Sequence, residues 1–368
     1  MDEKYVDEYY EFLIRNEERL KNDEKMVRET LASHLSHVPE KLYKYRTCTM
    51  QNFRTLKEGN IYMPRADAFK DPFDYTLNFD LSKNVDKMHA FFLKHIDQLV
   101  YSGIKGILQQ NGIIVPDFSI EDVRYIRENY FLEDGTRLTE KFEQDIMSKG
   151  TDVDNVLYRK SQDLVEYYLK DGSSQLIGLC ERLAEDVNRA SREPRDTTLV
   201  YCMTEDKSCG PMWENYADGY TGFCIEYDFS DWENKQFEDL KNLIYIFPVI
   251  YLKERPVFDV IPFFETSIRS SVFGEAIDKD IPLQVELNKQ LLRKEAKYSY
   301  EQEWRFAIKN RQNNIQPFPF VSAIYMGKDI TENNVKHLKV VARKLKVPLY
   351  KQTLNYFGNE FRYEKVEV

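Results

Sequence analysis

Apolar residues recur along this chain with two different periods, and the switches between them mark out its elements. Residues 3–33 alternate charges with Tyr9, Leu13 and Leu20 at near-helical spacing, which predicts an amphipathic helix. After Pro39 the period shortens. LYKYRTC (42–48) predicts a strand, TMQNFRTLKEG (49–59) a short helix closed by Gly59, and IYMPRA (61–66) a second strand ending near Pro64. ADAFKDPFDYTLNFD reads as a turn-rich loop around Asp71-Pro72 and Asp74. From about 83 to 190 the pattern is helical, with breaks at NGIIVPD and LEDG, and SREPRD (191–196) ends it. TLVYCMT (198–204) and TGFCIEYDF (221–229) predict strands flanking a turn and helix in CGPMWENYADGY, and NLIYIFPVIYL (242–252) a strand or strand pair. Residues 263–298 return to helix, most clearly in PLQVELNKQLLRKEAKY; a strand through YEQEWRFAIK follows. FVSAIYMG, TENNVKHLKVVARKLK and VPLYKQTL close the chain as strand, helix and strand.

Strands thus stand at both ends and in the middle, with helical blocks between them. The expected fold is α+β, with a central sheet assembled from distant strands and helical insertions. An N-terminal helical segment (1–40) precedes a single domain (41–368) that carries an insertion at about 83–195. The strands holding Tyr43, Cys202, Ile225 and Phe306 are expected in one sheet, because polar turns cannot bury their apolar faces. No internal repeat or low-complexity linker divides the chain.

Composition narrows the class. The 368 residues are 42% hydrophobic, 14% aromatic and 31% charged, which excludes disordered and fibrous classes. A net charge of −10 argues against a general nucleic-acid surface. The acidic start, MDEKYVDEYYEFLIRNEERL, does not read as a signal peptide, and no run reaches transmembrane length, so a cytoplasmic protein is expected. The five cysteines, Cys48, Cys180, Cys202, Cys209 and Cys224, have no CxxC spacing and suit reduced thiols. His34 and His37, one helical turn apart beside Pro39, mark a helix end rather than a metal site; no metal is expected. The chain has no P-loop, GxGxxG or GxSxG motif.

Three clusters carry candidate chemistry. In LYKYR, Lys44 and Arg46 share one strand face, a fork and a point charge suited to phosphate or carboxylate; internal pairing with Asp71 or Asp74 is the alternative. In PMWENYADGYTGFC, Trp213 and Tyr216 sit three apart on a helix, either as a core anchor or as a wall for a flat ring. In KYSYEQEWRFAIKN, Tyr300, Trp304, Phe306 and Ile308 would share one face of a strand, and Glu301, Glu303, Arg305 and Lys309 the other. That ionic face is either wetted by solvent or aimed into a cleft, where Arg305 holds one carboxylate and Glu303 stands free for a ligand.

In order and spacing, KYR with DPFD, MWENYADGYTGFCIEYD and YEQEWR resemble a widespread bacterial family known as domain of unknown function 2971, over residues 42–80 and 198–352. Lys70 stands where that family usually has Asn. A second resemblance, at the level of fold, is to the ADP-ribosyltransferase superfamily: an early strand with Arg, a short helix ending in Gly, a middle strand near an aromatic and a late strand with Glu-x-Glu. It implies a split sheet and NAD as substrate. By that resemblance Arg46 would contact the NAD phosphates or ribose, Trp213 or Tyr216 would stack on nicotinamide, Glu303 would bind the ribose, and Glu301 would position the acceptor or act as base. The superfamily's Ser-Thr-Ser motif has no counterpart here. Two functions therefore stand open. One is NAD-using ADP-ribosyl transfer or NAD hydrolysis. The other is a non-enzymatic module that binds a small anionic ligand or a protein partner; the bacterial setting invites a role in phage defence or stress.

Overall fold

The computed structural model describes residues 3–69, 71, 73–78, 80–110, 118–132, 135–147, 152–171, 185, 189, 196–259, 261–262, 281–309, 313–358 and 360–368. The readings made for NGIIVPD, for most of SREPRD and for 263–280 lie outside these residues. The chain divides into two compact units, one of Met1–Asn78, Arg189–Pro256 and Ile281–Val368, the other of Phe79–Asn188 and Val257–Asp280.

The first unit is built on a sheet. Its strands in chain order are β1 (Lys41–Arg46), β2 (Asn60–Tyr62), β3 (Thr198–Thr204), β4 (Phe223–Asp228), β5 (Ile246–Pro248), β6 (Ile250–Leu252), β7 (Arg293–Glu295), β8 (Glu303–Lys309), β9 (Ile315–Pro317), β10 (Val321–Met326), β11 (Leu349–Asn355) and β12 (Glu360–Val366). Eight of them form the main sheet in the order β12-β11-β10-β4-β1-β3-β8-β5, while β2 pairs with β9 and β6 with β7. The strands of Tyr43, Cys202, Ile225 and Phe306 therefore share one sheet, as their apolar faces required.

Alternation along each strand sends one set of side chains to each face. On one face Leu42, Tyr201, Ile225, Phe306 and Ile324 join a large core with Val6, Leu13, Leu31, Phe53 and Leu338 from the helices. On the other, Tyr43, Tyr45, Cys224 and Tyr325 pack around Trp213.

The N-terminal helix is interrupted rather than continuous. It runs Glu3–Arg15, Glu17–Leu20 and Glu24–Leu35, and Asp23 restarts it by accepting a hydrogen bond from the Met26 amide. His34, in the last turn, is buried, with Nε2 2.8 Å from the Ile246 carbonyl. That contact requires the proton on Nε2, so Nδ1 accepts from the Tyr5 hydroxyl at 3.1 Å, and burial pushes the imidazole down to about 4.

The second departure follows Ile281–Gln290, where the predicted helix stops eight residues early. β7 and a 3₁₀ turn, Ala296–Glu301, take its place, and Gln302 enters β8 at φ +40°. Strands β9 and β12 were not predicted; they lie in the polar segments flanking the last three predicted elements.

The second unit is helical: Leu81–Lys94, Ile96–Gln110, Ile120–Tyr130, Thr139–Met147 and Asp152–Glu166. Its core joins Val100, Val123, Ile126, Tyr130, Phe142 and Val165. Ser119 and Asp122 form a reciprocal capping box at Ile120, and Arg127 holds Asp97 through two bonds of 2.7 and 3.0 Å.

Among the described residues, no helix is long and apolar enough to cross a membrane.

Candidate functional site

β1 and β3 share one registered pair, Tyr43↔Thr204, and then diverge. The edge of β3 that β1 abandons is taken up further along by the segment after β2: Arg65 bridges Leu199, and the Val200 amide donates to the Pro64 carbonyl at 2.9 Å. Between the two, Lys44 supplies the missing donor, its Nζ reaching the Cys202 carbonyl at 2.6 Å. Burial and then the neighbouring Arg46 push the Lys44 ammonium down to about 8, against the pull of Cys202, Glu303 and Glu301. Arg46 donates to the Tyr62 carbonyl at 3.0 Å and lies over the Tyr201 ring. Neither cation pairs with Asp71 or Asp74, and the aspartate loop serves a different residue.

That residue is Arg305. Its guanidinium is fully buried, with Nε on Glu303 Oε1 at 2.8 Å, Nη1 on the Leu291 carbonyl at 2.9 Å, and Nη2 2.8 Å from both Asp74 oxygens. The rings of Phe69 and Tyr75 lie 5.6 and 5.8 Å from it. The loop that delivers Asp74 is set by Asp71, whose carboxylate accepts from the Phe73 amide at 2.9 Å and whose carbonyl accepts from the Asp74 amide at 3.2 Å. Arg255 clamps the same loop through the carbonyls of Phe73 and Thr76.

Lys294, from β7, completes the cluster, with Nζ 2.5 Å from Glu301 Oε2, 2.9 Å from Glu303 Oε2 and 3.6 Å from Asp74 Oδ2. The ionic face of YEQEWR is therefore buried, not wetted. Nor does Glu303 stand free: one of its oxygens is on Arg305, the other on Lys294, and its amide donates to the Tyr251 hydroxyl at 2.9 Å. Glu301 lies in the 3₁₀ turn rather than the strand, yet reaches the same cluster because Gln302 turns the chain.

The two glutamates are pushed apart in acidity. Burial would raise Glu303, but Arg305 and Lys294 outweigh it and hold the carboxyl well below its usual range. Burial, joined by the neighbouring charge of Glu303, raises Glu301 against the pull of Lys294 and Tyr216. Lys294 stays protonated, since Glu303, Glu301 and Asp74 together overcome its desolvation. Asp74, Glu301 and Glu303 thus face Arg305 and Lys294, with one more carboxyl than cation in the contact set, and of the two glutamates Glu301 is the readier to take a proton.

The aromatic pair divides. Trp213 is fully buried, its Nε1 donating to the Lys207 carbonyl at 2.8 Å and its ring meeting Tyr45 edge-on at 5.1 Å; it anchors the core and is no exposed wall. Tyr216, the last residue of the helix Gly210–Tyr216, is 37% exposed and donates to Glu301 Oε1 at 2.9 Å.

Lys294, Tyr75, Arg255 and Tyr251 escaped the sequence reading. KEAKY looked helical, so nothing marked Lys294 as facing YEQEWR. Among the described residues, no group of three or more His, Cys, Asp or Glu side chains could hold a metal ion.

No curated protein and no solved structure matches the chain. The segment that carries Tyr216, Lys294, Glu301, Glu303 and Arg305, residues 212–306, matches the family model described as "Protein of unknown function (DUF2971)".

Proposed function

We propose that the protein uses NAD as substrate, for ADP-ribosyl transfer or, with water as acceptor, for NAD hydrolysis. The observation that carries this reading is the convergence of Tyr216, Glu301 and Lys44, from three separate motifs, where β1 parts from β3. A split sheet with a cation on one lip and a carboxylate on the other suits a substrate with a diphosphate and a ribose. Lys44 and Arg46 supply charge for the phosphates, and the half-exposed Tyr216 ring supplies a face for nicotinamide. In the reaction the bond from ribose to nicotinamide breaks, its electron pair leaves with neutral nicotinamide, and the acceptor's lone pair adds to the ribose as its proton departs. Glu301 is better suited than Glu303 to the ribose or to that proton, since burial already favours its protonated form while Glu303 is locked between Arg305 and Lys294.

The test is incubation with NAD and chromatography of free nicotinamide, for the parent and for Glu301→Gln. Gln keeps one acceptor for Lys294 and can donate its amide to the Tyr216 oxygen, so melting should be nearly unchanged, while release should fall by about 10²–10³. Equal release by both would remove Glu301 from the chemistry.

The saturated bonding of Glu303 and Asp74 favours a second reading, a non-enzymatic module that binds a small anionic ligand or a protein partner. NAD binding by the parent without any nicotinamide release would decide for it.

A further inference from the structure

In the sheet-based unit, a cavity of about 500 Å³ lies among the first helix, the helix Ile281–Gln290 and the end of β8. That volume is in the range of small-molecule sites. We propose that it is a second binding site, for an aromatic ring bearing an anionic group, of about mononucleotide size.

Its shape and polarity argue for a flat ligand. Tyr10 and Phe247 stack on each other on its wall, with centroids 4.1 Å apart and planes within 9°. Leu13 and Leu291 extend the apolar surface, and the amides of Gln284 and Asn288 offer both donors and acceptors to the edge of a ring.

Its charge argues for an anion. The chain as a whole carries −10, yet Lys21, Lys241, Lys309 and Arg305 line this cavity against Glu17 alone among acidic residues. Three of those cations are committed: Lys21 to Glu17 and Glu18, Lys241 to Glu238, and Arg305 to Asp74 and Glu303. Lys309 makes no ion pair among the described residues; its ammonium lies 3.4 Å from the Asn288 side-chain oxygen, and desolvation lowers its pKa against the attraction of Glu17. An exposed lysine beside an amide, at the mouth of a cavity with aromatic walls, is a ready partner for a phosphate or carboxylate on a ring-bearing ligand.

This proposal does not rest on NAD turnover, because neither Glu301 nor Tyr216 lines the cavity. Calorimetric titration with AMP and with indole-3-acetate, alongside adenosine and inorganic phosphate as controls lacking the charge or the ring, tests it. At least one of the two aromatic anions should bind at or below about 1 mM, and the controls at least about tenfold more weakly. Lys309→Glu should weaken that binding by about tenfold or more with melting unchanged, since the side chain is exposed, and Glu301→Gln should leave it intact. Failure of both anions to bind, binding by phosphate or adenosine as tight as by the anions, or an unaltered affinity in Lys309→Glu would each overturn it. Loss of binding in Glu301→Gln would also overturn it, moving the ligand to the ion cluster.

Discussion

Glu303 joins the two cations of the buried cluster, since Arg305 reaches one of its oxygens and Lys294 the other. Arg305 could not be exchanged for a lysine here, because its planar fork meets Asp74, Glu303 and the Leu291 carbonyl in three directions at once. Glu303→Gln keeps the shape but removes the carboxylate that Arg305 and Lys294 share, leaving Arg305 with Asp74 and Lys294 with the readily protonated Glu301, so a loss of about 3 kcal/mol is expected. The loss has a pH signature. Because the folded carboxyl is held below its ordinary 4.5, the unfolded chain takes up the proton first on acidification. The stabilisation is therefore fully present above the ordinary value and fades as pH falls through the folded one. Urea unfolding of parent and variant should show the largest gap near neutral pH and a closing gap in acid. A gap that widens in acid would show that the charge of Glu303 does not stabilise the fold.

The turn between the helix Gly210–Tyr216 and β4 has two glycines with different duties. Asp218, Gly219 and Tyr220 follow one another in the left-handed region, at φ +51°, +59° and +66°. A Cβ at Gly219 would make only an ordinary contact, 3.9 Å from Glu214 Oε1, so Gly219→Ala should cost only the backbone term, about 1 kcal/mol. Gly222 faces a different constraint. An added Cβ would lie 2.3 Å from the Arg46 carbonyl oxygen and 2.7 Å from that of Ala217, and relief would require moving the end of β1 and the end of the helix Gly210–Tyr216. Gly222→Ala should therefore cost about 3 kcal/mol and disturb the strand that carries Lys44 and Arg46. Denaturant midpoints of the two variants rank them, and the reverse order would refute this account of the turn.

At the scale of the molecule, the sheet-based unit draws on three stretches of chain, and the first is not a detachable extension. Val6, Leu13, Leu20, Val27 and Leu31 are all buried in the same core as Leu42, Tyr201 and Phe306. Burying five such side chains is worth about 10 kcal/mol as an upper estimate, comparable to the whole stability of a domain. Removal of residues 1–37 should abolish the cooperative melt of that unit, followed by near-ultraviolet circular dichroism. A truncated chain melting within a few degrees of the parent would make those helices a peripheral addition.

Local alternation sufficed to find β1, β3, β4, β8, β10 and β11, because a half-buried strand writes its two faces into neighbouring residues. It also singled out Lys44, Tyr216 and Glu301, and the fold brings these into interaction: Tyr216 bonds Glu301, and the charge of Glu301 acts on Lys44. What it left undecided was long-range. Whether the charged face of β8 is wet or buried depends on Asp74, 231 residues away from Arg305, and on Lys294, hidden in a stretch with helical periodicity. The same six letters, YEQEWR, suit a solvated edge when no counter-charge arrives and a buried ion cluster when one does. Periodicity records which way a side chain points, and only the closure of the chain decides what waits there; so the sequence by itself determined the elements and their faces, and the tertiary structure decided that Glu303 is held while Glu301 is pushed toward its protonated form.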